Sequence, residues 1–361
     1  MQTMTLRPLA MVLCAALLAA CGGGGGGGAS PATPGSPEGP PPVRFAYVAN
    51  TGDDTVSVLA LDPATGVLRH QGYVHVGVGA WPRQVVLHPT RPLAFVVNQD
   101  AGAISSYALD DVSGAPTPIG SPVDTGGDPI AAAVHPSGQF VYAVTDEEVI
   151  LAFRVDASGA LEPLGTPLAT GPGAASVVVH PSGRFAYTTN SSGNTLSAFA
   201  IDPSTGALAS AGTFGTPSGN LAAMAIDPEG RLAAVTNGGA QSVTFFEIDQ
   251  TTGALTEVTT ILGPSRTSGV AIHPSGRFVY VGNPTTDAVA AFEVDLSAGT
   301  VSPIDADPVA PGVQGFPAGT EPLDLAVDPT GLALYVTDLN DWSITAYAID
   351  PASGALTSLG T

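Results

Sequence analysis

The sequence contains no lysine, and its only side-chain cations besides six histidines are ten arginines, set against 31 carboxylates for a formal charge of −21. That balance excludes a nucleic-acid surface and a basic membrane-binding patch. Cysteine is nearly absent: Cys14 lies in a segment expected to be removed, leaving Cys21 alone. A disulfide framework and a cysteine metal site are therefore both excluded. Charged residues are scarce as well, at 11%, so the acidity is not that of a solvated polyelectrolyte, and the 44% hydrophobic content supplies a core. There is no G-x-S-x-G elbow, H-E-x-x-H pair, phosphate loop or D-x-D-x-D-G calcium loop. No 3.6-residue apolar period persists with helix caps, which leaves an all-β chain.

What is present begins with MQTMTLRPLAMVLCAALLAAC, one arginine followed by a short apolar run and small residues. This is the pattern of a secretory signal over residues 1–20, too short for a membrane span. Leu18-Ala19-Ala20-Cys21 is similar to a bacterial lipobox, which implies lipidation of Cys21 and an acyl anchor. Residues 21–43, a glycine run and then a proline-rich stretch, read as a tether. The expected location is the bacterial cell envelope, in the outer membrane or periplasm, because Gly22 follows the cysteine where inner-membrane retention favours aspartate.

From residue 44 to 361 one tetrad organises the chain. Tyr47-Val48-Ala49-Asn50 recurs as FVVN (95–98), YAVT (142–145), YTTN (187–190), AVTN (234–237), YVGN (280–283) and YVTD (335–338). Each copy after the first sits between an apolar run ending in His-Pro or Asp-Pro and a run alternating with period two. A turn such as Asp202-Pro203-Ser204-Thr205-Gly206 then leads to a weaker fourth strand. Seven such units predict a seven-bladed β-propeller of four-stranded blades, the His-Pro run innermost. The first unit lacks that inner run, so its blade is expected to have three strands or to borrow one from the tether.

Four histidines, His88, His135, His180 and His273, start turns of the form His-Pro-x-Gly or its variant. Asp227 and Asp328 fill the same slot. Histidine and aspartate share the ability to accept a backbone hydrogen bond but not a role as base near neutrality, so the slot reads as scaffold. Functional groups are expected on the opposite face, around the channel mouth. The candidates are Trp81, Arg83, Gln84, Gln99, Arg266, Glu321, Asp338 and Trp342, with no catalytic residue, metal or cofactor assigned. Arg83 and Arg266 suit recognition of an anion, because the guanidinium fork matches a carboxylate or phosphate.

The repeated H-P-x-G-R-F-x-Y-x-x-N and D-P-x-T-G-x-L elements resemble the β-propeller lactonase family, which includes bacterial 6-phosphogluconolactonases and YVTN-type repeat proteins. The resemblance implies the seven-bladed fold and, for enzymatic members, a Pro-Arg-His step followed by Asn-Glu and a later Asn-Arg. This chain has Pro82-Arg83-Gln84, Asn98-Gln99 and Asn283-Pro284. Glutamine cannot shuttle a proton as histidine or glutamate does. The reading is therefore a monomeric, lipid-anchored module whose mouth face binds an envelope protein, peptide, glycan or small-molecule anion. The alternative is a lactone hydrolase in which Arg83 and Arg266 hold the substrate.

Overall fold

The computed structural model describes residues 44–216, 219–262, 267–304 and 315–360, so the expected signal, Cys21 and the tether lie outside the described residues. Seven antiparallel sheets follow one another in chain order, and the expected seven-bladed propeller is the fold. Helix is confined to one 3₁₀ turn at Thr51–Asp53 among the described residues. Among the described residues the first sheet has three strands, Arg44–Asn50, Thr55–Leu61 and Leu68–His75, and the alternative of a strand from the tether lies outside them. Strands are lettered A to D outward from the axis, so the first blade begins at B. In the sixth blade a short segment, Phe316–Pro317, also pairs with strand C.

Burial follows position in the blade. B strands such as Leu93–Asn98 and Phe185–Asn190 are buried at every residue, because neighbouring blades cover both faces. D strands such as Pro116–Asp124 stand at the rim and alternate toward solvent. The Asp-x-x-x-Gly turns between C and D behave as local scaffold: Asp62, Asp110, Asp249 and Asp350 accept backbone N–H bonds within their own turns. Those bonds hold their carboxyls below the usual range. At Asp156, Asp202 and Asp295 a serine hydroxyl contributes most to the same lowering.

Two ladders of side-chain bonds tie blade to blade. Tetrad tyrosines donate to the C–D turn glycine of the next blade, as in Tyr142 Oη to Gly206 O at 3.0 Å and Tyr187 Oη to Gly253 O at 2.8 Å. The His-Pro histidines form the second ladder. Nδ1 of His135 accepts from Ser137 N at 3.1 Å, and Asp227 Oδ2 accepts from Glu229 N at 3.2 Å in the equivalent position. That is the shared acceptor role read from the sequence. The imidazole does something further: its Nε2 meets the A–B turn glycine carbonyl of the next blade, His135 to Gly183 at 2.8 Å and His273 to Gly331 at 2.9 Å. With Nδ1 accepting, the proton sits on Nε2 and the ring is a neutral strut. Blade 7 carries Asp328 in this slot, and the blade that follows it in the ring has no A–B turn among the described residues.

The ring closes between blades 7 and 1. Tyr335 Oη donates to Gly66 O at 2.7 Å, the tyrosine ladder continued across the closure. The apolar seam there is small, built from Ala46, Val48, Leu59, Leu61, Ala333, Tyr335 and Ala346, whereas other blade junctions pack phenylalanine, valine and leucine in larger clusters.

Candidate functional site

The inner A strands of blades 2 to 7 surround a central cavity of about 580 Å³, lined among the described residues by no side chain of blade 1. Local backbone irregularity decides which side chains reach it. The A–B pairing slips between Pro82 and Gln84, Pro129 and Ala131, Ala174 and Ser176, and Pro322 and Asp324. A bulge of this kind re-aims side chains. As a result, consecutive residues on one strand, Arg83 with Gln84 and Leu323 with Asp324, both line the cavity.

Most of the wall is small or apolar, including Ile130, Ala131, Ala175, Ala222, Ala223 and Gly269. Its charged lining residues are Arg83, Glu321 and Asp324. Arg83 Nη1 donates to Gln99 Oε1 at 2.9 Å, its one hydrogen bond among the described residues, so the guanidinium is held by a neutral group with N–H donors to spare. Partial burial draws its pKa below the usual guanidinium range, and no ion pair offsets this among the described residues.

Asp324 accepts one bond, from Leu325 N to Oδ1 at 2.9 Å. Burial outweighs that bond and pushes its carboxyl up to about 7. Across the blade junction stands Gly269, whose N–H donates to Leu323 O at 2.8 Å. A Cβ on Gly269 would lie 2.8 Å from Asp324 Oδ1, so the glycine makes the room the carboxyl occupies. Glu321 is committed differently: its N–H donates to Asp287 Oδ1 at 2.9 Å, and its Oε2 accepts from Asn340 Nδ2 at 2.8 Å.

The sequence candidates separate accordingly. Arg83, Gln84 and Glu321 line the cavity, and Gln99 supports Arg83. Gln84 accepts from Ala132 N at 2.7 Å, which ties blade 2 to blade 3. Trp81 enters strand A in a left-handed conformation, φ +51°, with its N–H on Asp54 Oδ1 at 2.9 Å. Trp342 is 52% exposed on the B–C loop of blade 7 and is also left-handed. Arg266 lies outside the described residues. Rim carboxylates Asp54, Asp146, Asp287 and Asp341 bond backbone N–H groups of the adjoining connections, so their role is to pin loops.

Asp338 sits away from the cavity, buried in the tetrad slot that asparagine fills in five other blades. There Asn190 Nδ2 donates to Thr195 Oγ1 at 3.0 Å and Ser197 Oγ at 2.9 Å, and Asp338 Oδ2 instead accepts from Thr345 Oγ1 at 2.6 Å and Thr345 N at 3.1 Å. Its Oδ1 has no partner. Burial raises this carboxyl's pKa. A raised folded-state pKa means stability is greatest below the unfolded value near 4 and falls as pH rises through the folded one. Asp338→Asn is therefore expected to raise the melting temperature, and by more at alkaline than at acidic pH. Equal melting curves at both ends of the range would contradict this.

Asp324 was absent from the sequence candidates, although a signal exists. Aligned on the His-Pro or Asp-Pro ending, the residue four positions earlier is Gln84, Ala131, Ser176, Ala223, Gly269 and Asp324. A single carboxylate in a slot of mostly small residues marks it.

These features define the class: a seven-bladed propeller whose central cavity, walled largely by small and apolar residues, carries the charged groups Arg83, Glu321 and Asp324. The sequence pattern of the family "Lactonase, 7-bladed beta-propeller" matches residues 40–132, 131–267 and 259–361, and the chain belongs to that family. Among solved structures, a provisionally named 6-phosphogluconolactonase from Bacteroides uniformis superposes with a TM-score of 0.76 at 19% identity, covering 86% of this chain and 92% of its own. The periplasmic gluconolactonase PpgL of Pseudomonas aeruginosa gives 0.71 at 20% identity, covering 88% and 95%. At such identities the likeness is one of fold. No curated protein matches the sequence.

Proposed function

We propose that the propeller binds a small carboxylate-bearing polyol, a sugar acid or its lactone, in the central cavity. One observation carries this reading: Arg83 presents a guanidinium, fixed by Gln99 and otherwise unpaired, to a cavity of about 580 Å³. That volume suits a small molecule, and a fixed fork suits a carboxylate. Of the partners considered from sequence, a small-molecule anion fits such a space better than a folded protein. Isothermal titration with gluconate and glucono-lactone should show saturable binding that is lost in Arg83→Ala. Absence of any saturable heat would overturn the reading.

A second reading, lactone hydrolysis, is favoured by family membership and by a structural relative named as a gluconolactonase. We further propose that the protein acts in the cell envelope on an acyl anchor at Cys21, supported by the lipobox-like Leu18-Ala19-Ala20-Cys21. Cys21→Ser should move the protein from the membrane to the soluble fraction; continued membrane association would remove the anchor.

A further inference from the structure

We infer that Asp324 is the general base of a lactone hydrolysis carried out in the central cavity. The inference rests on the second reading above, and four features of the cavity support it. The bulge between Pro322 and Asp324 turns this side chain toward the same cavity that Arg83 enters from blade 2. The Leu325 N–H bond to Oδ1 orients the carboxyl and leaves Oδ2 without a donor among the described residues. Gly269 clears the space beside it: any side chain there would meet Asp324 Oδ1 at 2.8 Å and Leu323 O at 2.9 Å. The other carboxyl of the wall, Glu321, is engaged by Asn340 and held in a loop tied to Asp287. Gln84 and Gln99 carry no titratable proton, so among the described lining residues Asp324 is left as the group with both a free oxygen and basic character.

The step balances with water alone. Asp324 takes a proton from a water molecule as the water oxygen bonds to the lactone carbonyl carbon. The ring C–O bond then breaks, and the departing ring oxygen recovers that proton from the Asp324 carboxyl. The product is the open hydroxy acid, one water heavier, and Asp324 returns to its starting state. The new carboxylic acid ionises to solvent, and Arg83 supplies the cation that a carboxylate and its oxyanionic precursor both favour.

The electrostatic setting agrees with this role. The other charged groups of the described lining are Arg83, from blade 2, and Glu321, which precedes the same inner strand, and blade 6 adds the neutral Thr267, Ser268, Gly269 and Val270. Enclosure by that apolar wall brings the carboxyl to about 7, where a base is both ionised and avid for a proton.

The test is pH-stat hydrolysis of a panel of aldonolactones by the purified full chain, with spontaneous opening subtracted. Asp324→Asn is expected to lower kcat about 100-fold, the low end for loss of a general base, with KM within about twofold. Arg83→Ala should show the opposite split, a raised KM. Wild-type kcat/KM should climb with pH and level off above about 7, as a base that must be ionised requires. This profile needs no variant to fold. Wild-type turnover that Asp324→Asn leaves intact, or a flat acid limb, overturns the assignment while hydrolysis itself stands. Absence of wild-type turnover on the whole panel overturns it as well, and saturable binding in the same samples would show that the binding reading survives.

Discussion

Alanine at Gly183 is expected to lower the unfolding free energy by about 3–5 kcal/mol, the largest stability effect of any single methyl group considered. Two costs combine. Gly183 has φ +70°, a left-handed conformation that burdens a Cβ by roughly 1–2 kcal/mol. The added Cβ would also stand 2.4 Å from His135 Nε2, inside the inter-blade strut. The imidazole must then withdraw, which adds an overpacking cost of about 1–3 kcal/mol and leaves the Gly183 carbonyl without its donor. Urea unfolding checks the value, with Gly215→Ala as control because a Cβ there meets nothing within 4 Å. His135→Ala should itself destabilise. The double variant His135→Ala/Gly183→Ala should nevertheless recover part of the glycine penalty, since the clash has gone. Strict additivity, or a Gly183→Ala cost below about 1 kcal/mol, would mean that the strut is not a close-packed contact.

Arg83→Ala is expected to weaken sugar-acid binding about 100-fold, equivalent to about 2.8 kcal/mol at 1.4 kcal/mol per tenfold. The guanidinium lies in a confined, low-dielectric cavity, where a charge-assisted fork is worth more than at the surface. Arg83→Lys should lose nearly as much, because an ammonium cannot make the paired donation. Gln99→Ala removes only the bond at 2.9 Å that orients Arg83 and should cost about tenfold or less. Stability should move the other way. Arg83 has no counter-charge among the described residues, and its removal relieves a desolvated cation, so the alanine variant should melt no lower than wild type. Undiminished affinity in Arg83→Ala would place the ligand elsewhere on the propeller.

Much of this molecule is written in local sequence. The tetrad period, the turn aspartates and the His-Pro endings are repeated seven or nearly seven times, and each repeat demands the same hairpin geometry. Strand order and blade number follow from that repetition alone, as does the absence of an inner run in the first unit. So does the scaffold status of the histidines, because Asp227 serves in the same slot. Half of their role was not legible. The bond from Nε2 to the next blade's glycine joins residues 48 apart at His135 and Gly183, and nothing near either residue records the partner.

The site shows the same division. Arg83 was legible as an anion-binding candidate, and so was the loss of the family's histidine and glutamate at Gln84 and Gln99. Asp338 looked equivalent from sequence because it follows a B strand as the other mouth residues do, yet the fold buries it in its own hairpin against Thr345. Asp324 lay inside an apolar run, marked only as the one carboxylate of its repeat slot, and a slip in the A–B pairing beside it accompanies its place in the cavity lining. The sequence by itself determined the number and kind of blades, since repetition of local turns and alternating strands is a property of neighbours along the chain. Only the tertiary structure decided which polar groups share a cavity. That depends on the closing of the ring, which brings strands from blades 2 and 7 to one space and sets their half-buried charges around it.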